Sequence, residues 1–368
     1  MRIPFVDLKA QYLSIKQEID NSVASVINET AFIGGKFVKE FEDSFAKLYG
    51  VKHCISTANG TDSLYIIMKM IGIGSGDEVI TVANSWISTS ETISQTGAKP
   101  VFVDINPDYY SIDEEQIELA ISERTKAIIP VHLHGQMCNM DRIMSIANEY
   151  KIPVIEDCAQ SHFSEFYKKR AGTFGIAGSF SFYPGKNLGA YGDAGCIITD
   201  NEELAIKFRM FARHGALKKH EHVIEGINSR LDGIQAAILS VKLPHILKWT
   251  KDRIRKADLY DSFLSNIPNI IIPKRRENTL HSFHLYVIRC EKRDELSVFL
   301  NECGIETAIH YPRSLPNLPA YKYLNNILGS FPIATDFESK ILSLPIYPEL
   351  KDSSIEFIAS KIADFYKK

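Results

Sequence analysis

The sequence predicts an α/β protein with a mostly parallel sheet in a large domain and a smaller C-terminal α+β domain. Three observations carry that prediction. From Val51 to about Asp200, short β-branched runs alternate with amphipathic stretches, as β-α units do. Several of the runs are apolar throughout, as strands covered on both faces are. Beyond Asn201 the texture turns helical, in a chain of 368 residues that is long enough for two cores.

Taken in order, the strand candidates of the first part are His53–Ser56, Glu78–Val82, Lys99–Asp104, Thr125–Val131, Ile152–Glu156, Gly178–Phe182 and Gly195–Thr199. Helices are predicted between them over Thr61–Ile71, Ser88–Thr96, Asp113–Ile121 and Met140–Lys151, each polar on one side only. Asp232 to about Ser265 reads as one or two long helices interrupted at Pro244. His281–Cys290 then reads as a strand, Arg293–Cys303 as a helix, Glu306–Tyr311 as a strand and Ser353–Lys368 as an amphipathic helix. Arg313–Tyr323, rich in proline and aromatics, reads as a fixed loop. The division drawn from this texture is 1–250 for the large domain and 251–368 for the small one.

Composition narrows the function classes. With 45% hydrophobic and 24% charged residues the chain is ordinary globular protein. Its 42 basic and 45 acidic residues are scattered, so no basic tract points to nucleic acid or a membrane surface. The most apolar stretch, Tyr65 to Ile73, is far shorter than the roughly 18 to 20 residues that cross a bilayer. Met1 to Gln11 carries charges and no signal-peptide core, so a cytoplasmic location is expected. Six scattered cysteines without a C-x-x-C pair fit reduced thiols, and no metal site is expected.

Four segments carry chemistry. In Ser179-Phe-Ser-Phe-Tyr-Pro-Gly-Lys186 a strand runs into a glycine-rich turn holding a lysine among Tyr183, Pro184 and Leu188. Desolvation there would lower its pKa, as Schiff-base chemistry requires; the plain alternative is a surface lysine. Ile152-Pro-Val-Ile-Glu-Asp157 ends in two carboxylates that strand alternation points to opposite faces. Asp157 suits a protonated pyridine nitrogen, a metal or a helix cap equally well. Asn59-Gly-Thr-Asp-Ser63 opens a helix whose first amides, with the Thr61 and Ser63 hydroxyls, form a phosphate cradle or a simple cap. Trp86, just past a strand, offers a flat face or a core side chain.

These segments, with Val154-Ile-Glu-Asp-Cys-Ala-Gln160, Gly192-Asp-Ala-Gly195 and Asn228-Ser-Arg-Leu-Asp232, occur in an order that resembles the DegT/StrS group of nucleotide-sugar aminotransferases across essentially the whole chain. The resemblance implies a fold-type I transferase dependent on pyridoxal 5′-phosphate (PLP). Lys186 would hold the cofactor, Asp157 pair with its ring nitrogen, Gln160 lie near the ring hydroxyl and Trp86 stack on the ring. Gly60, Thr61 and Ser181 would hold the phosphate, joined by Asn228 from the other subunit of a homodimer with shared active sites. His310 and Tyr311 would meet the nucleotide sugar, and Arg230 the substrate or the amino donor, L-glutamate.

The same resemblance points to amino-sugar formation for polysaccharide or lipopolysaccharide biosynthesis. The Asn228-Ser-Arg form resembles members acting at sugar C3; those acting at C4 more usually have N-Y-R. His134 stands where relatives commonly have tyrosine, a change that touches sugar contacts alone. The sequence leaves UDP and dTDP open as the nucleotide. Rival readings are a C4 aminotransferase, a PLP-dependent dehydratase (whose members have histidine where Lys186 stands), a non-catalytic regulatory protein of the same fold, and a metal hydrolase, for which no H-E-x-x-H spacing is present.

Overall fold

The computed structural model describes residues 2–325 and 329–367. The strands of the first part form two abutting sheets. One has the order His53–Thr57, Gly195–Thr199, Ala177–Ser181, Ile155–Asp157; the other runs Lys99–Val103, Glu78–Val82, Thr125–Ile129. Parallel bridges from Ile128 to Val154 and from Val131 to Asp157 join them edge to edge. Within this surface Gly195–Thr199 runs antiparallel to both neighbours and the other pairings are parallel. Helix Gly60–Met70 packs on the Ala177–Ser181 and Gly195–Thr199 strands, while helix Gly35–Tyr49 packs on His53–Thr57 and on helix Gly233–Lys242. Strand faces that are apolar on both sides thereby find partners on both sides.

A second core lies in the C-terminal part. The strands Ile270–Ile271, Tyr286–Cys290 and Ile341–Leu344 form an antiparallel sheet. Helices Ile246–Leu264, Arg293–Glu302 and Asp352–Tyr366 contribute Tyr260, Leu296, Leu300, Ile355 and Ile358 to that core. Ile3, from the opposite end of the sequence, enters it through a parallel bridge to Ile305. The expected boundary at 250/251 falls inside helix Ile246–Leu264, which gives Ile246 and Trp249 to the first core and Ala257, Tyr260 and Leu264 to the second.

Several expectations change at their edges, and prolines and long-range bonds explain most of the changes. The strand expected to reach Val131 ends at Ile129, where Pro130 brings no amide hydrogen. The strand expected from His281 begins at Tyr286, because Ser282 and Leu285 donate their amides to the carbonyls of Gly135 and His134 instead. Glu306–Tyr311 is not a strand: its pairing is a single bridge between Ala308 and Ser343, cut short where His310 and Tyr311 turn to the cavity described below and Pro312 follows. The Asp113–Ile121 helix is one short helix, Glu114–Ile117, followed by a 3-10 turn. Leu243-Pro-His245 is likewise a 3-10 turn. The loop Arg313–Tyr323 is pinned by buried Leu315, whose amide donates to Ala83 at 2.7 Å. The terminal helix runs to Tyr366, and Lys368 lies outside the described residues. Among the described residues no helix is long and apolar enough to cross a membrane.

Glu156 locks the centre of this arrangement. Fully buried, it accepts the amides of Gly172, Phe174 and Gly175 at 2.7, 2.6 and 2.8 Å, and its Oε2 lies 3.0 Å from Nε2 of His132. Glu156→Ala strands three amides, that of Gly172 buried and those of Phe174 and Gly175 partly so, each worth about 1–3 kcal/mol when unpaired. Urea unfolding should therefore show a loss of roughly 3 kcal/mol or more, and a loss below about 1 kcal/mol would show that Glu156 is not the fastening.

Candidate active site

Where the first-part strands end, a cavity of about 560 Å³ opens between the two cores. Lys186 reaches it from a turn that starts at the end of strand Ala177–Ser181. The turn is closed by the Lys186 amide donating to Tyr183 and the Ala190 amide donating to Phe182, both at 2.8 Å. Asn187 anchors it through Nδ2, which donates to the Ser282 carbonyl at 3.1 Å. Lys186 itself is half-buried, and loss of solvent around its ammonium lowers its pKa to about 8, against an opposing pull from Asp157.

Asp157 borders the same cavity, one residue on from Glu156 and facing away from it, as strand alternation requires. It accepts Thr89 Oγ1 at 2.8 Å and the Ala159 amide at 3.1 Å. Burial pushes its pKa above the usual value, opposed by those two hydrogen bonds and by Lys186 and His132. Its bonded partners are thus neutral donors, which leaves a buried carboxylate able to take a cationic one.

Asn59 caps the helix Gly60–Met70 by accepting the Asp62 amide at 2.7 Å. The amides of Gly60 and Thr61 find no acceptor among the described residues, as expected of a helix's first turn. A side chain on Gly60 would place a Cβ 2.8 Å from that of Ser181, so glycine there lets the helix start and Ser181 stand side by side. One on Gly195 would meet the Asn59 carbonyl carbon at 2.4 Å, so this strand residue too is held to glycine by the turn. Free amides, the Thr61 hydroxyl and Ser181 at a helix N-terminus make an anion site. Together with desolvated Lys186 and cation-seeking Asp157, they fit pyridoxal phosphate in charge and in donor type.

Gln160 joins the opposite wall. Its Oε1 accepts the His134 amide at 2.7 Å and its Nε2 donates to the Tyr311 hydroxyl at 2.9 Å. His310 borders the cavity, stacks on Phe5 and has Nδ1 2.8 Å from Ser343 Oγ; burial and the Lys186 charge lower its pKa to about 4. His134 stands behind it, with Nε2 at 3.2 Å from the His310 carbonyl, and burial keeps it neutral with a pKa of about 3. Trp86 is 57% exposed, borders the cavity and lies 5.6 Å from the Tyr311 ring.

Lys186, Asp157, Gly60, Thr61, Trp86, Gln160, Ser181, His310 and Tyr311 thus converge on one cavity. Asn228 and Arg230 do not: both are exposed and neither borders it. Their loop is held near the phosphate cradle by buried Ser229, whose Oγ accepts the Ala58 amide at 3.0 Å. Sequence reasoning missed Thr89, His284 and Arg253, which also line the cavity. For Arg253 a signal existed: it falls on the stripe Trp249, Arg253, Ala257, Tyr260, Leu264, otherwise apolar or aromatic, of one helix. The buried set His132, Glu156 and Cys158 has metal-like spacing, but both Glu156 oxygens already accept backbone amides.

The depressed lysine makes a pH prediction. Neutral amine is the form that attacks a carbonyl, so capture of added pyridoxal phosphate by the apoprotein should rise with pH through a midpoint near 8. Asp157→Asn should move that midpoint down, because the carboxylate favours the ammonium. Stopped-flow absorbance measures both, and a midpoint near 10.5 in the wild type would show a solvated lysine.

Comparison with known proteins agrees with this geometry. The chain is 44% identical over 100% of its length to 99% of a Geobacillus stearothermophilus protein named pleiotropic regulatory protein. It is 40% identical over 98% of its length to the whole of UDP-2-acetamido-2-deoxy-3-oxo-D-glucuronate aminotransferase of Pseudomonas aeruginosa. Its fold superimposes on the crystal structure of S. venezuelae DesV in complex with a ketimine intermediate, with a TM-score of 0.98 and 37% identity, covering 100% of this chain and 99% of that one. Residues 13–363 match the DegT/DnrJ/EryC1/StrS aminotransferase family. With the match spanning nearly the whole sequence and the cavity built from the same segments, the chain belongs to that family.

Proposed function

We propose that this PLP-dependent aminotransferase installs an amino group at C3 of a UDP- or dTDP-linked keto sugar, with L-glutamate as donor, in the cytoplasm. The observation that carries the chemistry is the meeting of Lys186 and Asp157 in one cavity beside a helix start whose first two amides, those of Gly60 and Thr61, have no acceptor among the described residues. The C3 position is supported by the Asn228-Ser-Arg-Leu-Asp232 segment and by the 3-oxo sugar in the name of the Pseudomonas relative. The regulatory name of another relative favours a binding-only reading. Against it stands Lys186: a regulator has no need of an amine held near pH 8 beside a buried carboxylate.

When bound, the cofactor supplies an electron sink for charge developing on the carbon that loses its proton. Asp157, insulated from water and bonded to neutral donors, would hold its negative charge for the ring nitrogen. The Gly60 and Thr61 amides with Ser181 would hold the phosphate, Trp86 would cover the ring and Gln160 would serve the ring hydroxyl. Lys186, its amine free once the donor has taken its place, would accept the donor's α-proton as general base and in the second half-reaction would give a proton to sugar C3 as general acid, the cofactor carrying the amino group from one half-reaction to the other. His310 and Tyr311 orient the sugar. Asn228 and Arg230 serve the site of a second copy, since in their own chain they are exposed and do not border the cavity.

Two outcomes test this. Enzyme loaded with glutamate should aminate a 3-keto sugar of a UDP- and dTDP-linked panel, NMR should place nitrogen on C3, and borohydride should fix the cofactor to the peptide carrying Lys186. Lys186→Ala should lower turnover by at least about 10³-fold. An amine on C4, a different labelled peptide, or cofactor binding with no turnover on the whole panel would each contradict the assignment. For the shared site, Lys186→Ala and Asn228→Ala, each severely impaired alone, should recover roughly a quarter of wild-type activity when co-expressed, as random pairing in a two-fold dimer gives. Verified heterodimers that stay inactive would confine the site to one chain.

A further inference from the structure

Arg253 projects from helix Ile246–Leu264 onto the cavity and is 4% exposed. Its Nη1 donates to the carbonyls of Ile346, Phe283 and His284 at 2.9, 3.2 and 3.4 Å, which fixes the guanidinium plane. Nε has no partner, and among the described residues no hydrogen bond reaches Nη2. No carboxylate among the described residues forms an ion pair with it; Glu349 attracts it only from a distance. Two other buried cations have a carboxylate, Arg293 pairing with Asp294 at 2.6 Å and Lys256 with Asp352 at 2.5 Å, while buried Lys242 donates to the Gly189 carbonyl at 2.7 Å and stands over the Tyr191 ring. A buried guanidinium without an anion is costly, so the position is explained by an anion that arrives from outside the chain.

We propose that Arg253 is a receptor for a carboxylate of the substrates handled at Lys186. The proposal rests on the aminotransferase reading and adds a ligand subsite to it. Arg253 is held in advance by three carbonyls, so little side-chain entropy is lost when the anion binds, and its free edge suits a planar carboxylate. Position also favours this chemistry: the half-buried His284 imidazole lies within electrostatic reach of both Lys186 and Arg253, and all three border one cavity. An amino acid donor carries a carboxylate on the carbon that bears the reacting nitrogen. A nucleotide's diphosphate is separated from the reacting carbon by sugar atoms, and the cofactor phosphate has its own cradle at Gly60. Two sources of carboxylate remain, the amino donor and a C6 carboxylate on the sugar.

Holoenzyme carrying Arg253→Met, which loses the charge, and Arg253→Lys, which keeps charge and a donor for the Ile346 carbonyl, separates them. Each half-reaction is followed by cofactor absorbance, the second with the pyridoxamine form and matched neutral and uronate keto sugars. A donor carboxylate predicts that Arg253→Met raises the KM for glutamate about ten- to hundredfold, with Arg253→Lys in between, and leaves amination of the neutral sugar within about twofold. A sugar carboxylate predicts a comparable loss for the uronate alone. Equal losses with glutamate and neutral sugar would mark a structural brace and overturn the proposal, as would no loss in either half-reaction. If wild-type enzyme takes nitrogen from no amino acid, the aminotransferase reading fails separately, and calorimetry with maleate decides the subsite. Binding by wild type that Arg253→Met weakens at least about tenfold upholds the subsite; equal binding, or none, refutes it.

Discussion

Two adjacent carboxylates buried at the end of one strand set the terms for the rest of this molecule. Water cannot solvate either, so the protein must supply partners on both faces of the sheet. Glu156 is satisfied from within by three amides, with His132 alongside, and becomes scaffold. Asp157 receives only a hydroxyl and one amide, and keeps its charge for the cavity. The difference lies in what each face meets. Below, the backbone turn 172–175 folds around Glu156; above, the sheet edge opens to the cavity and the lysine turn.

The same division explains how much could be read from the sequence. Apolar runs located all seven strands of the large sheet, because burial on both faces leaves a compositional trace. Lys186, Asp157 and the Asn59–Ser63 turn were legible because each follows such a run, whereas Ser181 was reached only through the family resemblance. Which of the two carboxylates was functional was not legible from alternation, which says only that they part. Contacts over long sequence separations left no local trace. Gln160 meets Tyr311 across 151 positions, and nothing near either residue announces the other. Glu306–Tyr311 was misread for a related reason: its alternation reflects side chains turned toward the cavity and Ser343 rather than toward a strand partner.

Asn228 and Arg230 show a different boundary. Their loop is well fixed, with Ser229 buried between them and bonded to the turn that precedes the helix start. Fixing a loop firmly while leaving its two flanking polar side chains exposed is understandable where those side chains serve a surface other than their own, which a single chain's packing does not specify.

Helix Ile246–Leu264 has a further meaning. It feeds one core with its first turn and the other with its last two, with Arg253 between. A rigid rod shared in this way makes the two architectural units one cooperative unit: fraying it withdraws Trp249 from one interior and Tyr260 from the other together. Heat or denaturant should find a single foldon spanning both halves, and motions that open the cavity must hinge outside this helix.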